Sequence, residues 1–232
     1  MKVLIACEES QTVCKAFRTR GHEAYSCDVL ECSGGHPECH IQGDALEFIS
    51  PVYRGGWKQF GKGEWIFFKT MDGVKHNVEK WDLIVAHPPC TYLSNAGAKH
   101  LYKGRVLNKE RYKKGLQAKG FFLALLNADC EKICVENPIS SRVFEMPQCT
   151  QEIDPFQFGH PVKKKTRLWL KGLPLLQPTN IVAPLESTRL AGNWFNVGGK
   201  ERQRNRSKTF EGVAVAMAEQ WGNISHGKAV NG

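Results

Sequence analysis

No apolar run in this chain approaches the roughly 18 residues that a membrane-spanning helix needs, so a bilayer-spanning role is not expected. A signal peptide is lacking too: the start, MKVLIACEES, has one Lys, a short apolar stretch and then two acids, and reads as a first β-strand. Internal repeats and low-complexity tracts are absent. Apolar residues at 41% and charged residues at 24% are ordinary globular usage, which argues against disorder and fibrous structure. A disulfide framework is not expected either, because nine scattered Cys form an odd set; reduced thiols and a cytoplasmic location fit better. A length of 232 residues suits one large domain, or one domain with a small appendage.

What is present is unevenly placed charge. Residues 99–119 hold eight Lys/Arg against one acid, residues 160–171 five against none, and residues 200–208 five against one. These three segments carry +16, while the other 190 residues carry −7. Brought together, they would form a phosphate-binding surface, with Lys99, Lys103, Arg105, Lys113, Lys114, Lys163, Lys164, Arg204 and Arg206 as nucleic-acid contacts. The segment 99–119 reads as a basic loop and helix start that closes over the nucleic acid.

Strand and helix signals alternate along the chain. Lys2 to Ala6 reads as a buried strand, and a helix is predicted from Ser10 to Arg20, capped by Ser10 and stopped by Gly21. Ala24 to Asp28 reads as a second strand. Residues 51–80 read as a hairpin insertion turning at Asp72-Gly73. Trp81 to Ala86 is a third core strand, followed by a helix from about Lys109 to Asn127. Lys132 to Val135 is a strand stopped at Glu136-Asn137-Pro138, Thr166 to Leu170 a later strand, and Ser207 to Trp221 a final helix. The alternation predicts a mostly parallel, doubly wound sheet, which binds ligands at the carboxyl ends of its strands. Those ends are Cys7-Glu8-Glu9, Asp28, His87 to Cys90, and Glu136-Asn137.

The string Pro89-Cys90-Thr91-Tyr92-Leu93-Ser94-Asn95-Ala96-Gly97 resembles the nucleophile loop of DNA (cytosine-5)-methyltransferases, PC-x-x-x-S-x-A-G. Glu136-Asn137-Pro138 resembles the Glu-Asn-Val motif of that family, and Lys163, Lys165 and Arg167 its Q-x-R-x-R motif. The pieces stand in the family's order, and the resemblance, to a small phage- or prophage-type member, covers most of the chain. It implies a Rossmann-like class I methyltransferase fold and S-adenosylmethionine as cofactor. Cys7, Glu8, Ser10 and Gln11 stand where the family holds the methionine end. Asp28 stands at the ribose, Gly43-Asp44 at the adenine, and Pro88 and Asn205 border the cofactor cleft. It also implies that Cys90 attacks cytosine carbon 6 of a flipped base, that Glu136 serves ring nitrogen 3, and that Arg167 and Lys165 offset developing charge.

Two departures shape the expectation. Ala6 to Gln11 replaces a glycine-bearing F-x-G-x-G stretch, and residues 171–204 form a short segment where the family inserts a target-recognition domain. DNA binding of low or short sequence specificity follows, with the question of a specificity-supplying protein partner left open. Two further functions compete: a non-catalytic DNA-binding homologue, and modification of a free cytosine nucleotide. Cys27, Cys32, His36, Cys39 and His40 lie within 14 residues, as reduced thiols and polar histidines or as a zinc set of unusual spacing. His87 stands either against the extruded base or as a strand-end cap.

Overall fold

The computed structural model describes residues 1–50, 65–98, 100–185 and 208–223, with the Lys103 side chain left out. Its centre is a seven-stranded sheet. The first strand β1 (Lys2–Ala6) carries Val3, Leu4, Ile5 and Ala6 with no exposure at all, as a strand covered on both faces must. Beside it lie β2 (Glu23–Asp28) and the short β3 (His40–Gln42). On its other side follow β6 (Leu83–Ala86) and β9 (Ile133–Pro138), all five parallel. The far edge is a reversed strand, β11 (Thr166–Lys171), antiparallel to β9 and to the edge strand β10 (Gln151–Ile153).

The order β10-β11-β9-β6-β1-β2-β3 changes direction between β1 and β6. That switch opens a crevice at the carboxyl ends, where the candidate site lies. The fold class is the one expected in its architecture: α/β, doubly wound and mostly parallel, Rossmann-like in its strand order. The predicted stop at Glu136 needs correction. β9 runs on through Pro138 because β11 pairs along its whole length, Pro138 opposite Thr166. The missing N–H of Pro138 does no harm there, since pairing with β6 has already ended at Val135.

Helix α1 (Thr12–Thr19) buries Val13, Cys14, Ala16 and Phe17 and packs on the last helix. That helix begins later than expected, at Glu211, and Ser207 lies outside the described residues. A two-residue-strand hairpin, β7 (Tyr102–Lys103) and β8 (Val106–Leu107), follows the four-residue helix α2 (Asn95–Ala98). Helix α3 (Lys109–Leu126) then starts where the sequence places it, capped by the Asn108 side chain, which accepts from Arg111 N–H at 3.0 Å. Within residues 100–119 the expected loop and helix start are a hairpin followed by a capped helix. The last helix, α4 (Glu211–Gly222), is apolar nearly all round and correspondingly buried, with Trp221 Nε1 donating to the Pro174 carbonyl.

The Asp72-Gly73 turn joins β4 (Ile66–Lys69) to β5 (Lys75–Val78), a pair separate from the main sheet. Its Phe68 packs edge-on to Tyr25 of β2, ring centroids 4.9 Å apart. Residues 51–64 of the expected insertion, and 186–204 of the expected short segment, lie outside the described residues.

Two glycines of α3 offer a test of the packing. A Cβ on Gly115 would lie 2.2 Å from the Phe144 ring, whereas one on Gly120 would meet nothing within 4 Å. Ala normally stabilises a helix over Gly by about 0.5–1 kcal/mol. Gly120→Ala should show that gain in urea unfolding, while Gly115→Ala should destabilise by about 1–3 kcal/mol through overpacking.

Candidate active site

Strand register builds the rim. Ala6 pairs with Cys27 and Ala86, and Ala86 with Val135. The next residues, Cys7, Asp28, His87 and Glu136, therefore stand side by side across four strand ends. The turn after β1 is sharp: Cys7 and Gln11 both hold left-handed φ, 60° and 59°, without being glycine. Such conformations cost on the order of 1–2 kcal/mol each and persist only where surroundings enforce them. The main enforcement comes from Glu8, whose carboxylate accepts from Val13 N–H at 2.7 Å and Cys14 N–H at 3.1 Å.

Glu8, not Ser10, is thus the cap of α1; Gln11 occupies the N-cap position and makes no side-chain cap bond. Burial pushes the Glu8 carboxyl above its ordinary value, opposed by nearby His87 and by the two helix N–H groups. Gln11 is also fully enclosed. It donates to the His36 carbonyl at 2.8 Å and to Ser26 Oγ at 3.2 Å, and its oxygen accepts from His36 N–H at 3.0 Å. Ser33 hydrogen-bonds the Glu9 carboxylate and backbone. Gly34 comes so close that a Cβ there would strike Gln11 and the Ser10 carbonyl within 2.6 Å. Loop 29–36 is therefore tied down over the β1–α1 turn.

Asp28 and Asp44 converge beside Cys7. The Cys7 thiol is pushed up by burial and then by these two carboxylates, and the Cys27 thiol feels both as well. Burial also raises Asp28, against a hydrogen bond from Leu30 N–H at 2.9 Å. Asp44 is exposed and accepts from Leu46 N–H at 3.0 Å. Two acceptor carboxylates at adjacent strand ends suit the nucleoside half of S-adenosylmethionine, which offers hydroxyl and amino donors. At the methionine half, Glu8, Glu9 and Gln11 turn inward, so recognition there would fall to backbone groups and Ser10. Asn205 lies outside the described residues.

The Cys27-to-His40 set does not gather round a point. Cys27 lies by the Gly43 carbonyl, Cys39 meets Cys14 at 3.9 Å, and His36 pairs with Glu38. His40 sits between Ser26 Oγ and the Leu30 carbonyl, and Cys32 is half-exposed. Among the described residues no three His, Cys, Asp or Glu groups are placed to hold a metal ion.

Cys90 opens a tight turn in which its carbonyl accepts from Leu93 and Ser94 N–H. The turn is laced to the end of β9. Asn137 Nδ2 donates to the Pro88 carbonyl at 3.0 Å, Ser94 bridges to Ser140, and Ser141 N–H donates to the Leu93 carbonyl at 2.7 Å. Arg111 of α3 donates to the Thr91 and Gly97 carbonyls at 3.2 and 3.1 Å and lies 5.0 Å over the Tyr92 ring. Next to this turn His87 Nδ1 is 3.3 Å from Glu136 Oε2. His87 Nε2, Asn137 Oδ1 and Ser140 Oγ are buried without a hydrogen-bond partner, three of four such atoms among the described residues. Each would cost about 1–3 kcal/mol if left so, and all three belong to the segments that flank or are laced to the Cys90 turn.

Lys165 and Arg167 are not brought to this cluster. Both grip Glu152 of β10, at 3.0 and 2.9 Å. Arg167 pairs in register with Asn137 and Leu168 with Glu136, so side-chain alternation sends Arg167 and Glu136 to opposite faces. Lys164 instead shares a narrow cavity of about 30 Å³ with Glu136, Thr166 and Phe210. Of the other basic residues, Lys113 and Lys114 are exposed on α3, with Lys114 3.2 Å from Glu110, and Arg105 is exposed at the hairpin turn. Lys163 is exposed; Lys99, Arg204 and Arg206 lie outside the described residues. The sequence reading missed Arg111 as the anchor of the Cys90 turn, and nothing in its local pattern marks it.

No protein-family model matches the chain, and no curated protein does. Among solved structures it is similar to a protein described as a proposed DNA modification methyltransferase encoded within an E. coli prophage. The TM-score is 0.42 at 11% identity, over 79% of this chain and 52% of that one. The chain thus spans about half the length of that protein, and a likeness of this degree decides nothing about the reaction.

Glu8 makes a pH prediction. Its folded pKa lies above its unfolded one, so the folded state holds the extra proton and loses stability as pH rises from about 4.5 through the folded value. Below that window Glu8 adds no pH dependence. Urea unfolding between about pH 5 and pH 8 should show wild type losing stability relative to Glu8→Gln as pH rises. The substitution should also carry a roughly pH-independent cost of about 0.5–1.5 kcal/mol for the second cap bond.

Proposed function

We propose that this protein methylates cytosine at carbon 5 in DNA, with S-adenosylmethionine as methyl donor. The observation that supports this most is the lacing of the Cys90 turn to the end of β9, which ties the segment carrying a half-exposed thiol to the strand that carries Glu136. Carbon 5 of cytosine is a poor nucleophile. Attack of the Cys90 thiolate at carbon 6 forms an S–C bond and moves the ring electrons toward carbon 5, while Glu136 shares a proton with ring nitrogen 3. Bound S-adenosylmethionine supplies an electrophilic methyl group. Loss of the carbon 5 proton to a base then expels the thiolate and restores the aromatic ring.

In this reading Asp28 and Asp44 hold the nucleoside of the cofactor. Lys165 and Arg167, held by Glu152 and with Arg167 on the face away from Glu136, contribute phosphate contacts once Glu152 releases them. Exposed Lys113, Lys114, Lys163 and Arg105 supply phosphate contacts without base readout, giving low or short sequence specificity unless a partner adds to it. A second reading, a non-catalytic DNA-binding homologue, is favoured by one observation: Glu8, Glu9 and Gln11 are tied inward instead of toward a cofactor.

DNA containing 5-fluorocytosine separates the two. Fluorine cannot leave carbon 5 as a cation, so with cofactor present the wild-type protein should accumulate a denaturant-stable DNA adduct. Cys90→Ala should form none, and Glu136→Gln should form it about 10²–10⁴-fold more slowly. Wild-type protein that binds DNA and cofactor yet never traps would rule out Cys90 as nucleophile; failure to bind cofactor would favour the second reading.

A further inference from the structure

Beside the Cys90 turn lies an open cleft of about 620 Å³ that the proposed chemistry does not use. Its walls are Tyr92 from the turn, His100 and Tyr102 from the start of the β7–β8 hairpin, and Arg111 and Lys114 from α3. Two features give it a chemical character. Tyr102 is 48% exposed, although a large aromatic ring is ordinarily covered. Arg111 lies 5.0 Å over the Tyr92 ring, and exposed His100 and Lys114 line the same cleft. Aromatic faces interleaved with cations are the pattern that takes unstacked bases together with their phosphates. A duplex keeps its base faces stacked inside and would offer this cleft only phosphates.

Arg111 also links the cleft to the thiol, because the side chain over Tyr92 is the one that holds the Thr91 and Gly97 carbonyls on either side of the turn. We propose that the cleft binds single-stranded DNA, stacking a base on Tyr102 next to the nucleotide that enters at Cys90, so that unpaired DNA is the preferred substrate. Among the described residues Glu110 is the one acidic group lining the cleft, and its exposed pair with Lys114 must loosen when a phosphate arrives. Exposed pairs of this kind are weak, so the barrier is small.

The proposal extends the methylation reading by naming its substrate, but its test is binding and does not depend on turnover. Fluorescence anisotropy should compare a labelled single-stranded oligonucleotide of mixed sequence with the same sequence as duplex, and with deoxycytidine monophosphate as competitor. The single strand should bind more tightly than the duplex, and the mononucleotide should compete poorly. Tyr102→Ala should weaken single-strand binding by roughly 5- to 100-fold and duplex binding little, whereas Tyr102→Phe, which keeps the ring, should bind like wild type. Glu110→Gln should tighten binding. Equal affinity for the two forms, or a Tyr102→Ala protein with an unchanged melting temperature and unchanged single-strand affinity, would overturn the proposal. A protein that prefers single strands through Tyr102 yet forms no fluorocytosine adduct would sink the methylation reading and leave the cleft standing.

Discussion

A carboxylate with no access to water must find hydrogen-bond donors, and Glu8 finds them in the first turn of α1. That demand draws the chain back on itself directly after β1. It drives Cys7 and Gln11 into left-handed backbone, brings the Gln11 amide under loop 29–36, and sets the level at which Cys7 stands beside Asp28 and His87. A glycine-rich turn reaches such geometry through backbone freedom. Here a buried acid imposes it, and the helix N-terminus that would otherwise receive a ligand anion is filled by the protein's own side chain.

The second constraint is the two-residue period of a strand. Along β9 and β11 it divides functional residues between faces: Glu136 with Lys164 and Thr166 toward α4, Asn137 and Arg167 toward the other side. Motif spacing along a sequence carries no record of this division. Residues adjacent in the order of motifs are separated by a layer of backbone, and Glu152 on the neighbouring edge strand completes the separation by pairing with both Lys165 and Arg167.

Much of the architecture was legible. The runs at Lys2–Ala6 and Leu83–Ala86 are apolar or nearly so because the sheet is covered, and α3 begins at Lys109 because Asn108 caps it. What escaped had weak local patterning: three-residue strands such as β3 and β10, stabilised by neighbours and not by their own propensity, and the hairpin at Tyr102–Leu107 hidden in a basic run. In the site, Cys7, Asp28 and His87 were placed at strand ends by pattern alone, whereas Glu136 lies inside β9. The capping by Glu8 was not, since Ser10 has the better intrinsic preference and only the burial of the acid reverses the choice. Arg111 was read as one cation among many, because its role rests on the fold of a turn some 20 residues away.

The lacing of the Cys90 turn also bears on when the thiol reaches its final place along the folding pathway. The Asn137 bond to the Pro88 carbonyl joins residues 49 apart, and the Ser94–Ser140 bridge spans a comparable loop. Closing a loop of that length loses chain entropy before any contact rewards it, so such contacts form late. No short fragment containing Pro89-Cys90 can hold the thiol in its final orientation. A nascent chain that has not yet docked β9 against β6 would carry the cysteine but not the turn that orients its thiol.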